Sequence, residues 1–109
     1  MTIPFSSIYL ELLSLRRTSD GKKMPRILVI DDDEPIRIAL RKMLESEGHE
    51  VVEASDGARG LRLFDEQPAD LVIADILMPE KEGFEVIREL LVKKPDVKII
   101  AMSGDLGQI

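Results

Sequence analysis

Four short apolar runs are spaced along the chain from residue 26 onward, and between them lie stretches whose apolar positions recur every three or four residues. Ile27-Leu28-Val29-Ile30 is continuous and rich in β-branched side chains, the pattern of a strand buried on both faces of a parallel sheet. It stops at Asp31, Asp32 and Asp33. Pro35 then suits a first helical turn, and Ile36, Ala39, Leu40, Met43 and Leu44 give one apolar helical face until Gly48 ends it. Val51-Val52-Glu53-Ala54 reads as a second strand, and Asp56 can cap a helix carrying Ala58, Leu61 and Phe64 that Pro68 closes. Leu71-Val72-Ile73-Ala74 is the third strand and ends at Asp75. A loop follows through Gly83, then Val86, Ile87, Leu90 and Leu91 mark a third amphipathic helix that finishes before Pro95. Lys98-Ile99-Ile100-Ala101-Met102 is the fourth strand. Strands alternating with helices imply right-handed crossovers, hence an α/β fold with a doubly wound parallel sheet and helices on both faces.

The amino-terminal stretch has a different character. Ile8, Leu12 and Leu15 fall at helical spacing behind Ser6 and Ser7, with no basic residue ahead of them, which argues against a cleaved secretory signal. Residues 16–23 are polar and lead to a second methionine, Met24. Residues 1–24 are therefore expected to be an extension or linker with helical character, and residues 25–109 the domain. No apolar run approaches the ~18 residues of a membrane span.

Composition narrows the chemistry. With 109 residues the chain has room for one compact domain. Fifteen basic against 21 acidic residues give a net charge of -6, the wrong sign for gripping a nucleic-acid backbone. Cysteine is absent and His49 is the single histidine, so thiolate chemistry, histidine metal sites and Ser-His-Asp triads lack material. His49 itself, following Gly48, is expected in an exposed turn. Arg37, Arg41 and Lys42 read as a solvated helix face.

Carboxylates are plentiful and are placed where an open parallel sheet binds ligands, beyond the carboxyl ends of its strands. Asp31, Asp32 and Asp33 follow the first strand and Asp75 the third. If these strands are neighbours, their acids converge, and an oxygen-rich site of this kind suits a hard divalent cation such as Mg²⁺. Ser103 follows the fourth strand and can reach the same rim with a hydroxyl for a phosphoryl oxygen. Together they suggest phosphoryl chemistry with an aspartate as nucleophile. Each aspartate is also an ordinary turn former or helix cap, Asp33 above all because it precedes Glu34-Pro35.

Three runs, 26–33 ending in Asp31, Asp32 and Asp33, 70–79 containing Asp75, and 97–104 containing Ser103 and Gly104, resemble in order and spacing the receiver domains of two-component response regulators. The resemblance covers Pro25 to Gly104. It implies a flavodoxin-like receiver with four of the usual five strands, which takes a phosphoryl group from the phosphohistidine of a sensor histidine kinase or phosphotransfer protein. Such a domain phosphorylates itself rather than turning over a substrate, and switches a partner-binding surface in the cytoplasm. Asp75 matches the acceptor. Asp32 matches a direct Mg²⁺ ligand, Asp31 one acting through water, and the backbone carbonyl of Leu77 a further ligand. Ser103 matches the hydroxyl that contacts the phosphoryl group. The family's fourth helix, fifth strand, fifth helix and the lysine closing that strand find no match before Ile109.

The fourth strand is accordingly expected at a sheet edge, inviting a homodimer, an exchanged segment or cover by the Ile8 to Leu15 helix. Two other functions fit parts of the sequence. In a haloacid dehalogenase-type phosphohydrolase, Asp31 would be nucleophile and Asp33 general acid and base. A degenerate receiver would instead be an interaction module indifferent to phosphorylation. The downstream effector and the regulated process are not written in these residues.

Overall fold

Each of the four apolar runs folds as a five-residue parallel strand, and the amphipathic stretches between them fold as helices packed on the resulting sheet. The structure is a computed structural model and describes residues 2–3 (backbone only), 25–75 and 83–102. In chain order the elements are β1 (Thr2–Ile3), β2 (Arg26–Ile30), α1 (Glu34–Ser46), β3 (Glu50–Ala54), α2 (Gly57–Glu66), β4 (Leu71–Asp75), α3 (Gly83–Lys93) and β5 (Lys98–Met102). The sheet order is β1-β5-β4-β2-β3, with every pairing parallel. This is the doubly wound α/β architecture expected from the alternation. None of the described helices is long and apolar enough to cross a membrane.

Alternating side chains of the strands build two apolar layers. Ile27, Val29, Leu71, Ile73, Ile100 and Met102 form one core with Ile36, Leu40 and Leu44 of α1. Leu28, Ile30, Val72 and Ala74 form the other with Leu61 and Phe64 of α2 and Val86 and Leu90 of α3. Each fully buried Leu, Ile, Val or Phe contributes roughly 1.5–3 kcal/mol relative to exposure. Because β2 and β4 are neighbours covered on both faces, they carry no alternation of polar residues.

Local chemistry sets the helix ends. The Ile36 amide donates to Oδ1 of Asp33 at 3.2 Å, which makes Asp33 the cap of α1, with Pro35 in the first turn. Asp56 caps α2 in the same way, accepting from the Arg59 amide at 2.8 Å. At the far end of α1, Gly48 turns left-handed at φ 93°, and the amides of Gly48 and His49 reach the carbonyls of Glu45 and Leu44. In α2, Gly60 lies against β2: a Cβ there would stand 2.5 Å from Cδ1 of Ile30.

Two expectations are corrected. His49 is buried at 4% exposure rather than exposed, because the Gly48 turn leads the chain straight into β3 at Glu50. Neither ring nitrogen makes a hydrogen bond of full geometry; the Pro25 carbonyl faces the ring, as does the charge of Glu47. Burial lowers its pKa from the ordinary 6.5 despite both. The outer edge of β5 is also not bare: Thr2 pairs with Ala101 and Ile3 with Met102. The Ile8 to Leu15 segment lies outside the described residues.

Candidate functional site

Adjacent parallel strands β2 and β4 end at the same level, since Ile30 stands opposite Ala74, so the residues that follow them meet. Asp31 leaves β2 and Asp75 closes β4. Carboxylate oxygens of Asp31, Asp32 and Asp75 all lie within 4.8 Å of one another. Asp31 and Asp75 are buried, at 0% and 5% exposure, whereas Asp32 is exposed at the mouth. Such a group repels itself.

Asp31 bears most of that cost. Its Oδ1 accepts from the Asp33 amide at 2.9 Å, while its Oδ2 is sealed from solvent with no hydrogen-bond donor among the described residues, and the carboxyl of Asp75 faces the group. Burial first, then the charges of Asp75 and Asp32, push the Asp31 carboxyl up to about 7, although the Asp33 amide opposes the shift. Near neutrality the Asp31 carboxyl therefore carries a proton about half of the time. Positive charge among the three carboxylates would release it. An all-oxygen donor set with one buried oxygen lacking a donor fits a hard divalent cation, which Asp31, Asp32 and Asp75 can hold.

A basic residue behind the site braces it. Arg37 donates from Nη1 to the Asp31 carbonyl at 2.9 Å and from Nε to Glu53 Oε1 at 2.9 Å. Arg41 also pairs with Glu53. Arg37 is thus not part of a solvated helix face as its sequence position suggested; its side chain is 14% exposed. Periodicity could not reveal this, because Glu53 reaches Arg37 only when β3 lies beside β2.

Of the residues singled out in the sequence, Asp31, Asp32 and Asp75 come together. Asp33 does not join them; its carboxyl is committed to the amino end of α1, which removes the general acid and base that a phosphohydrolase built on Asp31 would need. Leu77 and Ser103 lie outside the described residues, but each follows a placed strand end, β4 at Asp75 and β5 at Met102. Those two ends share a rung, since Asp75 pairs with Met102.

Comparison with known proteins agrees with this arrangement. The chain is 45% identical over 88 residues to the transcriptional regulatory protein AfsQ1 of Streptomyces coelicolor, covering 79% of this chain and 39% of that protein. It therefore spans well under half of that curated relative. Among solved structures it resembles the response regulator TrrA of Thermotoga maritima in complex with Mg²⁺-BeF, with 44% identity, a TM-score of 0.70, and coverage of 73% of this chain and 70% of that one. It likewise resembles TrrA in complex with the histidine kinase ThkA, with 46% identity, a TM-score of 0.67, and coverage of 72% and 67%. The profile of the response regulator receiver domain matches residues 27–107. With the parallel sheet and the acids at its β2 and β4 ends, this match identifies the chain as a member of the response regulator receiver domain family.

Proposed function

We propose that the chain accepts a phosphoryl group on Asp75 from a phosphohistidine donor, a sensor histidine kinase or phosphotransfer protein in the cytoplasm, and that Mg²⁺ is held by Asp31, Asp32, Asp75 and the Leu77 carbonyl. The observation that carries this reading is the burial of Asp75 at the end of the central strand β4, with the carboxylates of Asp31 and Asp32 within 4.8 Å. An isolated turn-forming aspartate has no need of two such neighbours. The kinship to TrrA, whose structures hold Mg²⁺-BeF in one case and a histidine kinase in the other, supports both the cation and the donor.

In the transfer, a carboxylate oxygen of Asp75 attacks phosphorus, a P–O bond forms, the P–N bond to the donor histidine breaks, and the departing imidazole takes up a proton. Bound Mg²⁺ supplies neutralising charge for the phosphoryl oxygens. The fixed position of β4 presents the acceptor, and Asp31, anchored by the Asp33 amide and by Arg37, keeps its oxygens aimed at the same space. Ser103, next in sequence after Met102, which pairs with Asp75, would supply the hydroxyl that contacts the new group.

Intact mass spectrometry after incubation with Mg²⁺ and acetyl phosphate tests the reading, with circular dichroism to establish the fold. One phosphoryl adduct is expected, absent in Asp75→Asn. An adduct that survives Asp75→Asn and is lost in Asp31→Asn would overturn it.

A further inference from the structure

Strand β3 takes hold of Asp31 at two points. The Asp31 amide donates to the Ala54 carbonyl at 3.1 Å. The Asp31 carbonyl accepts from Nη1 of Arg37, whose Nε donates to Oε1 of Glu53 at 2.9 Å. Glu53 and Ala54 are consecutive residues of β3. One anchor holds the peptide before Asp31 and the other the peptide after it. Each peptide is planar, so the two together set both backbone angles of Asp31 and hence the direction of its side chain. The Asp33 amide, donating to Oδ1 at 2.9 Å, then sets the carboxylate along that direction.

Packing does not account for a charge at position 53. Alternation along β3 places Glu53 on the same face as Val51, which packs against the apolar layer beneath α1. A second valine would serve that face, and even a buried ion pair is often replaced by apolar side chains at no loss of stability. Glu53 instead meets two cations of α1, Arg37 at Oε1 and Arg41 at Oε2. Arg41 is steadied in turn by Glu45, 3.6 Å away and one helical turn on. With both oxygens engaged, Glu53 has a fixed angle, and so has the edge of Arg37 that it holds. Its charge also cancels that of Arg37, which would otherwise compete with a cation for the neighbouring carboxylates.

We propose that Glu53 is a positioning residue for the acid pocket: through Arg37 it aims Asp31 at the cation, without itself touching the cation or Asp75. The proposal rests on the reading of that pocket as a Mg²⁺ site. Glu53 then sets how tightly the pocket binds its cation from the outer strand of the sheet.

Glu53→Gln in the full chain tests this, because it keeps the shape of the side chain and removes the charge that gathers two arginines. In the metal-free protein, solvent exchange of the Asp33 amide, followed by nuclear magnetic resonance, is expected to quicken at least about threefold while the amides of β4 exchange as in the parent. Isothermal titration with MgCl₂ is expected to show affinity about three- to tenfold weaker than in the parent. Adding Glu53→Gln to Arg37→Ala should cost nothing further, since Glu53 acts through Arg37. Parent-like exchange at Asp33 overturns the proposal, as does equally quickened exchange in β4, which would mean a general loosening. A full second loss of affinity on top of Arg37→Ala overturns it too. A parent chain that binds no Mg²⁺ would sink the reading of the pocket instead, and the Asp33 exchange, which needs no metal, would still decide whether Glu53 positions Asp31.

Discussion

Arg37 holds Asp31 by its backbone, donating from Nη1 to the carbonyl at 2.9 Å while its Nε is tied to Glu53 on β3. The acid turn after β2 is thereby fastened to the neighbouring strand. A carboxylate that must aim its oxygens into a shared pocket depends on such support from behind.

Arg37→Ala is therefore expected to weaken Mg²⁺ binding by roughly tenfold, the lower range for loss of an outer-shell partner. Arg37→Lys should recover little of it, because one ammonium cannot reproduce a guanidinium bonded at two edges. Isothermal titration with MgCl₂ measures both. Unchanged affinity in Arg37→Ala would show that Asp31 holds its place unaided.

Asp31→Asn should stabilise the metal-free protein while weakening Mg²⁺ binding. The amide oxygen can keep the Asp33 amide as its donor, and the new N–H₂ donates to Asp75 where two carboxyls now compete. Because the Asp31 carboxyl is raised from 3.8 to about 7, the folded chain binds more protons than the unfolded chain in that window, and stability falls as pH rises through it. Asn lacks this loss. Urea denaturation in EDTA at about pH 7.5 is expected to show a gain of about 1–3 kcal/mol, shrinking toward about pH 4. A variant less stable than the parent at the higher pH would contradict the repulsion.

His49 gives the opposite sign. Its folded pKa lies below 6.5, so the unfolded chain takes up the extra proton as pH falls beneath that value, and stability declines with it. Between about pH 7 and pH 5 the parent should lose more stability than His49→Gln, read as the difference between the two denaturation series. Equal losses would mean that the buried ring keeps its proton affinity on folding.

Gly60→Ala tests how closely α2 sits on β2. The added Cβ meets Cδ1 and Cγ1 of Ile30 at 2.5 and 2.9 Å, and Ile30 is fully buried with little room to yield. Overpacking typically costs about 1–3 kcal/mol, partly offset by the better helix propensity of alanine, so a net loss of about 1–2 kcal/mol is expected. Adding Ile30→Val removes Cδ1, and the double variant should recover part of the loss in a thermal denaturation cycle. Strict additivity would show that the two side chains do not collide.

Much of this was legible in the residues. The runs at 27–30 and 71–74 announce buried parallel strands because they are apolar without alternation, and Asp33 before Glu34-Pro35 announces a cap. The meeting of Asp31, Asp32 and Asp75 followed once β2 and β4 were taken as neighbours. What stayed hidden depends on pairs far apart in the chain. Arg37 finds Glu53 across the sheet, and His49 is buried by the direction the chain takes after one left-handed glycine. Thr2–Ile3 is too short to carry any period, and is a strand only because β5 offers it a partner.

Strand β4 is bonded on both edges and sealed on both faces, every one of its residues buried from Leu71 to Asp75. Backbone in such a position opens to hydrogen exchange only when the whole domain unfolds. Asp75 thus stands at the end of a strand held on both edges and both faces. A new charge placed there is met by an anvil rather than a hinge, and the strain it creates is passed outward to the segments that border the strand.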